Sequence, residues 1–189
     1  KIEEKPLKEG LPEMRVKGPL VTRFAPAPTG PLHILQILRA VLVGYLYARK
    51  YRGMFLLRFE DTDPRVVESQ FYDIIREDLR GLEVEWDEEF IQSDYMEIYY
   101  KDAEELLGKG KVFVCFCDSK DFQVLKTRGK DCPCRWQRPD KNLLGWKGML
   151  SGHYKEGKAV VRLITSMQEP NPALRDPPLL RVVENPHPL

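Results

Sequence analysis

Four cysteines fall in one interval, Cys115, Cys117, Cys132 and Cys134, as two Cys-x-Cys pairs separated by 14 residues. Each pair can supply two thiolates to one ion, and four sulfurs are the donor set of a closed, structural zinc site. Pro133 holds the second pair in a tight turn. The same thiols also suit two other states, buried reduced side chains or disulfides, and a cytoplasmic setting argues against the disulfides. A second grouping lies earlier in the chain. Glu60, Asp61 and Asp63 put three acids in four residues directly after the apolar run Phe55 to Phe59, and Arg23 sits in an earlier β-rich run. A carboxylate can hold an ammonium group. A planar guanidinium grips a carboxylate through two parallel bonds and so separates it from an amide. Taken alone, the acids would equally make a solvated turn.

These groups need elements to position them. Val21 to Ala25 reads as a short strand that must stop at Pro26, Pro28 and Gly30. Apolar residues from Ile34 to Ala48 then recur at helical spacing, with a wide apolar face suited to a sheet, and Gly53 ends the run. Phe55, Leu56, Leu57 and Phe59 make a second strand, so strand, helix and strand predict a right-handed crossover in a parallel sheet. Ligands of such sheets bind beyond the carboxyl ends of the strands, where Arg23 to His33 and Glu60 to Asp63 fall. A loop that enters a helix there offers unpaired N–H groups and the positive end of the helix dipole to phosphate, and His33 adds a donor. The plainer alternative is that Thr29 and Gly30 only make the turn and His33 only caps the helix.

The motifs continue in order. R-F-A-P-x-P-T-G-x-L-H-I, then R-F-E-D-T-D-P, resembles the class I aminoacyl-tRNA synthetases that load glutamate, archaeal-type glutamyl-tRNA synthetases in particular. The resemblance runs on through Tyr72 to Leu79, Val84 to Glu88, Ile91 to Asp94, Met96 to Tyr100, Asn171 to Asp176 and the closing P-H-P, and so covers most of the chain. It implies an α/β fold, the first half of a Rossmann-like parallel sheet, carrying a small inserted zinc-binding module. It implies ATP and Mg2+ as substrate and one structural Zn2+ held by the four cysteines, with glutamate, ATP and the acceptor end of tRNA(Glu) as partners. It assigns Arg23, Ala25 and Glu60 to the amino acid, with Arg23 on its side-chain carboxylate and Glu60 on its α-amino group. Pro26, Thr29, Gly30, His33 and Gln36 are assigned to ATP, His33 being the catalytic group.

One departure stands out. The His-Ile-Gly-His element of the family reads His33, Ile34, Leu35, Gln36 here. In the family the glycine leaves bare backbone for the adenine ring, and a Leu35 side chain would project there. Gln36 donates a hydrogen bond but cannot become cationic. Losing one preorganised donor to developing charge typically costs about 10²-fold or more in rate. The expectation is therefore the fold of the family with impaired adenylation. The alternative is a catalytically inactive or engineered scaffold that binds RNA or self-associates. A further departure puts Pro177 where relatives usually place tryptophan after Asp176.

Length and composition bound the rest. The 189 residues, 42% hydrophobic, suffice for one full core and a small appended module. Thirty basic against 29 acidic residues give a net charge of +1, so any RNA surface must be local. Without an apolar run of about 18 residues no membrane span is expected, and the charged opening KIEEKPLKEG is no secretory signal, which makes a cytoplasmic protein the default. Residues 1–18 read as an arm, resembling a linker that precedes the catalytic domain. Residues 19–114 read as the first Rossmann half, and 115–189 as the inserted module that meets the acceptor end. Ser69 to Leu82 and Met96 to Leu107 are amphipathic helices, Ser93 and Asp94 are placed to cap the second, and Lys158 to Ile164 alternates like a strand. Arg135, Arg138, Lys141 and Lys147, interleaved with Trp136 and Trp146, suit phosphates and a terminal base, or else a solvated face with two tryptophans covering the module. Relatives continue into a second Rossmann half with a lysine-bearing pyrophosphate loop. Half a sheet by itself leaves an apolar face that favours self-association.

Overall fold

The computed structural model describes residues 10–15 and 17–189, so most of the expected arm lies outside the described residues. The chain falls into two compact units, one of Lys1–Thr62, Val66–Ser93 and Pro188–Leu189, the other of Asp63–Arg65 and Asp94–His187.

The first unit is a three-stranded parallel sheet, β1 (Val21–Phe24), β2 (Met54–Phe59) and β3 (Glu88–Ile91), in that order. Two helices link the strands. Ile34–Gln36, Ile37–Val41 and Leu42–Lys50 run on as one helix, α1, whose middle segment is a wider π-type turn, and Gln70–Gly81 forms α2. Strand alternation decides which side they cover. Phe55, Leu57 and Phe59 are fully buried, packed with Val41 and Ala48 of α1 and with Tyr72, Ile75 and Leu79 of α2. Leu56 and Arg58 alternate with them and project on the opposite, half-buried side. Where β2 begins, the backbone runs so close to Leu20 that a Cβ on Gly53 would sit 2.1 Å from the Leu20 carbonyl oxygen, which reserves the position for glycine.

The wide apolar face of α1 is only partly used. Leu35, Leu38, Val43 and Leu46 are exposed, because three strands offer too little sheet to cover them. At the other end of α1, the described part of the arm docks through side chains: Tyr47 donates to the Pro12 carbonyl, Lys50 to the Leu11 carbonyl, and Tyr51 to the Glu13 carboxylate.

The second unit holds an antiparallel sheet, β4 (Val112–Cys115), β5 (Val160–Leu163) and β6 (Pro178–Arg181), which the sequence reading did not foresee as a sheet. Helices α3 (Met96–Gly108), α4 (Ser119–Thr127) and α5 (Pro139–Leu150) complete it. The contacts thus group 96–115 with the second unit, whereas the sequence reading ended the first region at 114. Val112, Val114 and Val161 face α3 and α5 in a core that includes Leu107 and Trp146. Phe113 and Cys115, on the other face of β4, join Phe122 and Cys132 in a smaller cluster.

Candidate functional site

The carboxyl end of β1 and β2 is where the expected amino-acid site falls. Arg23 is opposite Leu56 in the parallel register and shares its face. Pairing persists past the strand ends, since the Glu60 N–H donates to the Pro26 carbonyl at 2.8 Å. Two residues beyond Leu56, Arg58 binds the carboxylate of Glu60, through Nε at 2.8 Å and through Nη2. Arg23, Leu56, Arg58 and Glu60 therefore lie on one side of the sheet, the side away from α1 and α2. Arg23 is exposed and makes no ion pair among the described residues. Ala25 is half-buried and Pro26 buried. Arg58 was missed from sequence, although alternation along Arg58, Phe59, Glu60 is the signal that could have found it.

The acidic corner divides into three different environments. Asp61 is fully buried and accepts from the Tyr72 hydroxyl at 2.6 Å, the Ser93 N–H at 2.8 Å and the Ser93 hydroxyl at 2.7 Å. Ser93 therefore braces Asp61 and does not cap α3, whose preceding residues 92–95 form a 3-10 turn and whose N-cap, Tyr95, makes no side-chain cap. Asp63 pairs with Arg65, whose guanidinium holds the carboxyl down to about 2. Glu60 alone of the three acids shares the open face with Arg23.

The turn before α1 offers some of the expected free N–H groups and engages others. Thr29 N–H donates to the Ala27 carbonyl, Leu32 N–H to the Asp78 carboxylate at 3.1 Å, and His33 N–H to the Gln36 side-chain oxygen at 3.2 Å. Those of Gly30, Ile34 and Leu35 make no hydrogen bond among the described residues. The reason is local. A Gln three residues into a helix reaches back to the cap residue, which a His in that place would do less well. The His33 and Leu35 side chains are both exposed.

The four cysteines converge. Their sulfurs all lie within 4.8 Å of one another, with Cys115 to Cys132 at 3.9 Å and Cys117 to Cys134 at 3.8 Å. A tetrahedral zinc with sulfurs at its usual bond length sets sulfur separations of about 3.8 Å, so the donor set fits that ion in number, type and spacing. The thiols are free of disulfides. Cys115 is held down to about 5, first by its hydrogen bond with Cys132, while burial and the neighbouring sulfurs push Cys117 up to about 12. Cys132 is raised, chiefly by Cys115.

Around it, the basic and aromatic residues sort into two kinds. Trp146 is 2% exposed and lies in the core, and Arg135, 7% exposed, pairs with the buried Asp176. Neither is available to a nucleic acid. Trp136, at 71% exposure, and Arg138 face outward. No helix among the described residues is long and apolar enough to cross a membrane.

Known proteins resemble this arrangement. The chain is 49% identical over 193 residues to the glutamate–tRNA ligase of Thermococcus onnurineus, covering 100% of this chain and 34% of that protein. It is 50% identical over 182 residues to that of Methanothermobacter thermautotrophicus, covering 96% and 32%. The chain thus spans about a third of the length of these relatives. Among solved structures, a glutamate tRNA ligase from Elizabethkingia meningosepticum in complex with its amino acid superposes with a TM-score of 0.62 at 22% identity. That likeness covers 87% of this chain and 39% of the other and speaks to the fold. A family model described as "tRNA synthetases class I (E and Q), catalytic domain" matches residues 19–189, and the chain belongs to that family.

Proposed function

We propose that this chain supplies the glutamate-binding and ATP-binding part of a glutamate–tRNA ligase, with residues 115–189 as the module that meets the tRNA(Glu) acceptor end. The observation that carries the reading is the shared sheet face of Arg23 and Glu60 at the carboxyl end of two parallel strands. Arg23, without a partner of its own among the described residues, suits the side-chain carboxylate of glutamate by a bidentate grip. Glu60 suits the α-amino group, and Ala25 bounds the space between. The α-carboxylate oxygen would then attack the α-phosphorus of ATP, forming the mixed anhydride as pyrophosphate leaves with its bound Mg2+. Negative charge grows on the phosphates during that step. His33 and the N–H groups at Gly30, Ile34 and Leu35 are the donors this chain offers to it, and Pro26 and Thr29 shape the turn that carries them. In the module, Cys115, Cys117, Cys132 and Cys134 would hold a structural Zn2+, which replaces a core where few apolar residues are buried.

Gln36 favours weak or absent adenylation, because it can give developing charge only a neutral hydrogen bond and carries no positive charge. This supports the second reading, a scaffold that binds glutamate, RNA or a second copy through the exposed apolar side of α1 without activating anything. Glutamate-dependent pyrophosphate exchange separates the two, measured on the chain and on a Leu35→Gly, Gln36→His double variant. Exchange that is weak in the chain and rises about 10²-fold or more in the double variant supports an impaired ligase. No exchange in either removes the catalytic reading of this chain.

A further inference from the structure

Arg162 lies in the middle strand of the antiparallel sheet and is 9% exposed. Its partner across the ladder is Phe113, and Cys115 pairs with Val160 one pleat away. Paired residues of an antiparallel ladder share a face, so Arg162 projects with Phe113 and Cys115, not with the Val112, Val114 and Val161 core. Its guanidinium carbon is 3.5 Å from the centroid of the Phe122 ring, and Phe122 packs against the same cysteines.

Among the described residues the charge has no carboxylate partner. Nη1 donates to the Asp176 carbonyl at 3.3 Å, Nε has no hydrogen-bond acceptor, and no carboxylate lies within ion-pair distance among the described residues. Its neighbour shows the contrast. Arg135, equally buried, is paired with the Asp176 carboxylate and, at 3.6 Å, with that of Asp131. A buried cation without an anion is costly, and such groups are retained where they balance a charge. The cysteine cluster is the charge on this face: a divalent zinc with four thiolates carries a net charge of −2.

We propose that Arg162 is the counter-charge of the four-cysteine centre, a positioning residue that shares the sheet face of Cys115 and offsets part of the negative charge of the zinc tetrathiolate. This rests on the zinc reading given above. It assigns a role to a residue outside the ligand motifs, 28 residues beyond the last cysteine.

The test is zinc affinity, by competition with a chromophoric chelator, for the protein and its Arg162→Met and Arg162→Lys variants. The Co2+ thiolate charge-transfer band is recorded in each to show that four-sulfur geometry survives. Removing an outer partner of a metal ligand typically costs about 10- to 100-fold in affinity. The expected result is a loss of that size for Arg162→Met, retention of most affinity by Arg162→Lys, and an intact Co2+ band in both. Unchanged affinity in Arg162→Met, or equal losses in both variants, overturns the proposal, since packing on Phe122 would then account for the residue. A native protein that takes up no zinc overturns the metal reading itself, a separate result.

Discussion

Both guanidinium contacts from Arg58 to Glu60 end on the same carboxylate oxygen, Oε1. The second oxygen carries neither contact, so the pair fixes the direction of the carboxylate without using it up, as the proposed ammonium site requires. Both side chains are about one-third exposed, and an exposed pair of this kind contributes at most about 1 kcal/mol to folding. Arg58→Ala should therefore leave the thermal midpoint nearly unchanged while weakening glutamate binding several-fold. Glu60→Gln removes the charged acceptor and should cost about 10-fold or more, in line with a charge-assisted bond. Titration calorimetry with glutamate checks both, and native affinity in Arg58→Ala would rule out the orienting role.

Asp61 is a matter of stability and not of substrate. Removing its carboxylate takes away the acceptor of the buried Tyr72 hydroxyl and of both donors of the half-buried Ser93, and hydrogen bonds to a charged group are each worth about 1.5–3 kcal/mol. Asp61→Ala should lower stability by roughly 3 kcal/mol or more, and Tyr72→Phe by about 1 kcal/mol. Urea unfolding at constant slope measures this. An Asp61→Ala loss below that of Tyr72→Phe would mean the three contacts do not act through the carboxylate.

How much of this was legible beforehand depends on how local each signal is. The first crossover was readable because Pro26, Pro28, Gly30 and Gly53 punctuate runs of clear period, and Gly53 is confined by the Leu20 backbone. The cysteines were readable because spacing alone brings two pairs together. By contrast, β6 begins at Pro178 in a proline-rich stretch that reads as loop, yet it sits at a sheet edge, where a missing N–H does no harm. Arg135 looked like a surface cation. Its partner Asp176 lies 41 residues away, a distance no local pattern spans. Gln36 was identified as a departure, but its bond to the His33 N–H follows from side-chain reach and not from composition.

Acid should expose the Asp63 and Arg65 pair. The Arg65 guanidinium lowers the Asp63 carboxyl from its usual 3.8 to about 2, with smaller help from the Arg65 N–H and from Arg181. A carboxyl lowered in the folded state stabilises it fully above the unfolded value and loses that contribution as pH falls through about 2. Both side chains are 34% exposed, so screening holds the contribution to under about 1 kcal/mol. Asp63→Asn should be slightly less stable than the native chain at pH 6, with the difference closing as the pH approaches 2. Urea titrations across that range check the convergence. A difference that widens in acid would contradict the pairing.

Removing the proposed zinc should loosen one part of the second unit and spare the other. The core of Val112, Val114, Val161, Leu107 and Trp146 is apolar and complete in itself, whereas the cluster on the opposite face of β4 has few buried members besides the cysteines. Chelation should therefore speed amide exchange through 115–134 and leave α3 protected, because the two faces draw their stability from different sources. Cys132→Ser, buried and 1% exposed, should reproduce the chelated pattern with zinc present. Hydrogen–deuterium exchange by mass spectrometry resolves the two segments. Uniform deprotection of both would mean that the sulfur cluster supports the whole unit, and unchanged exchange in 115–134 would mean that the four thiols hold their positions without an ion.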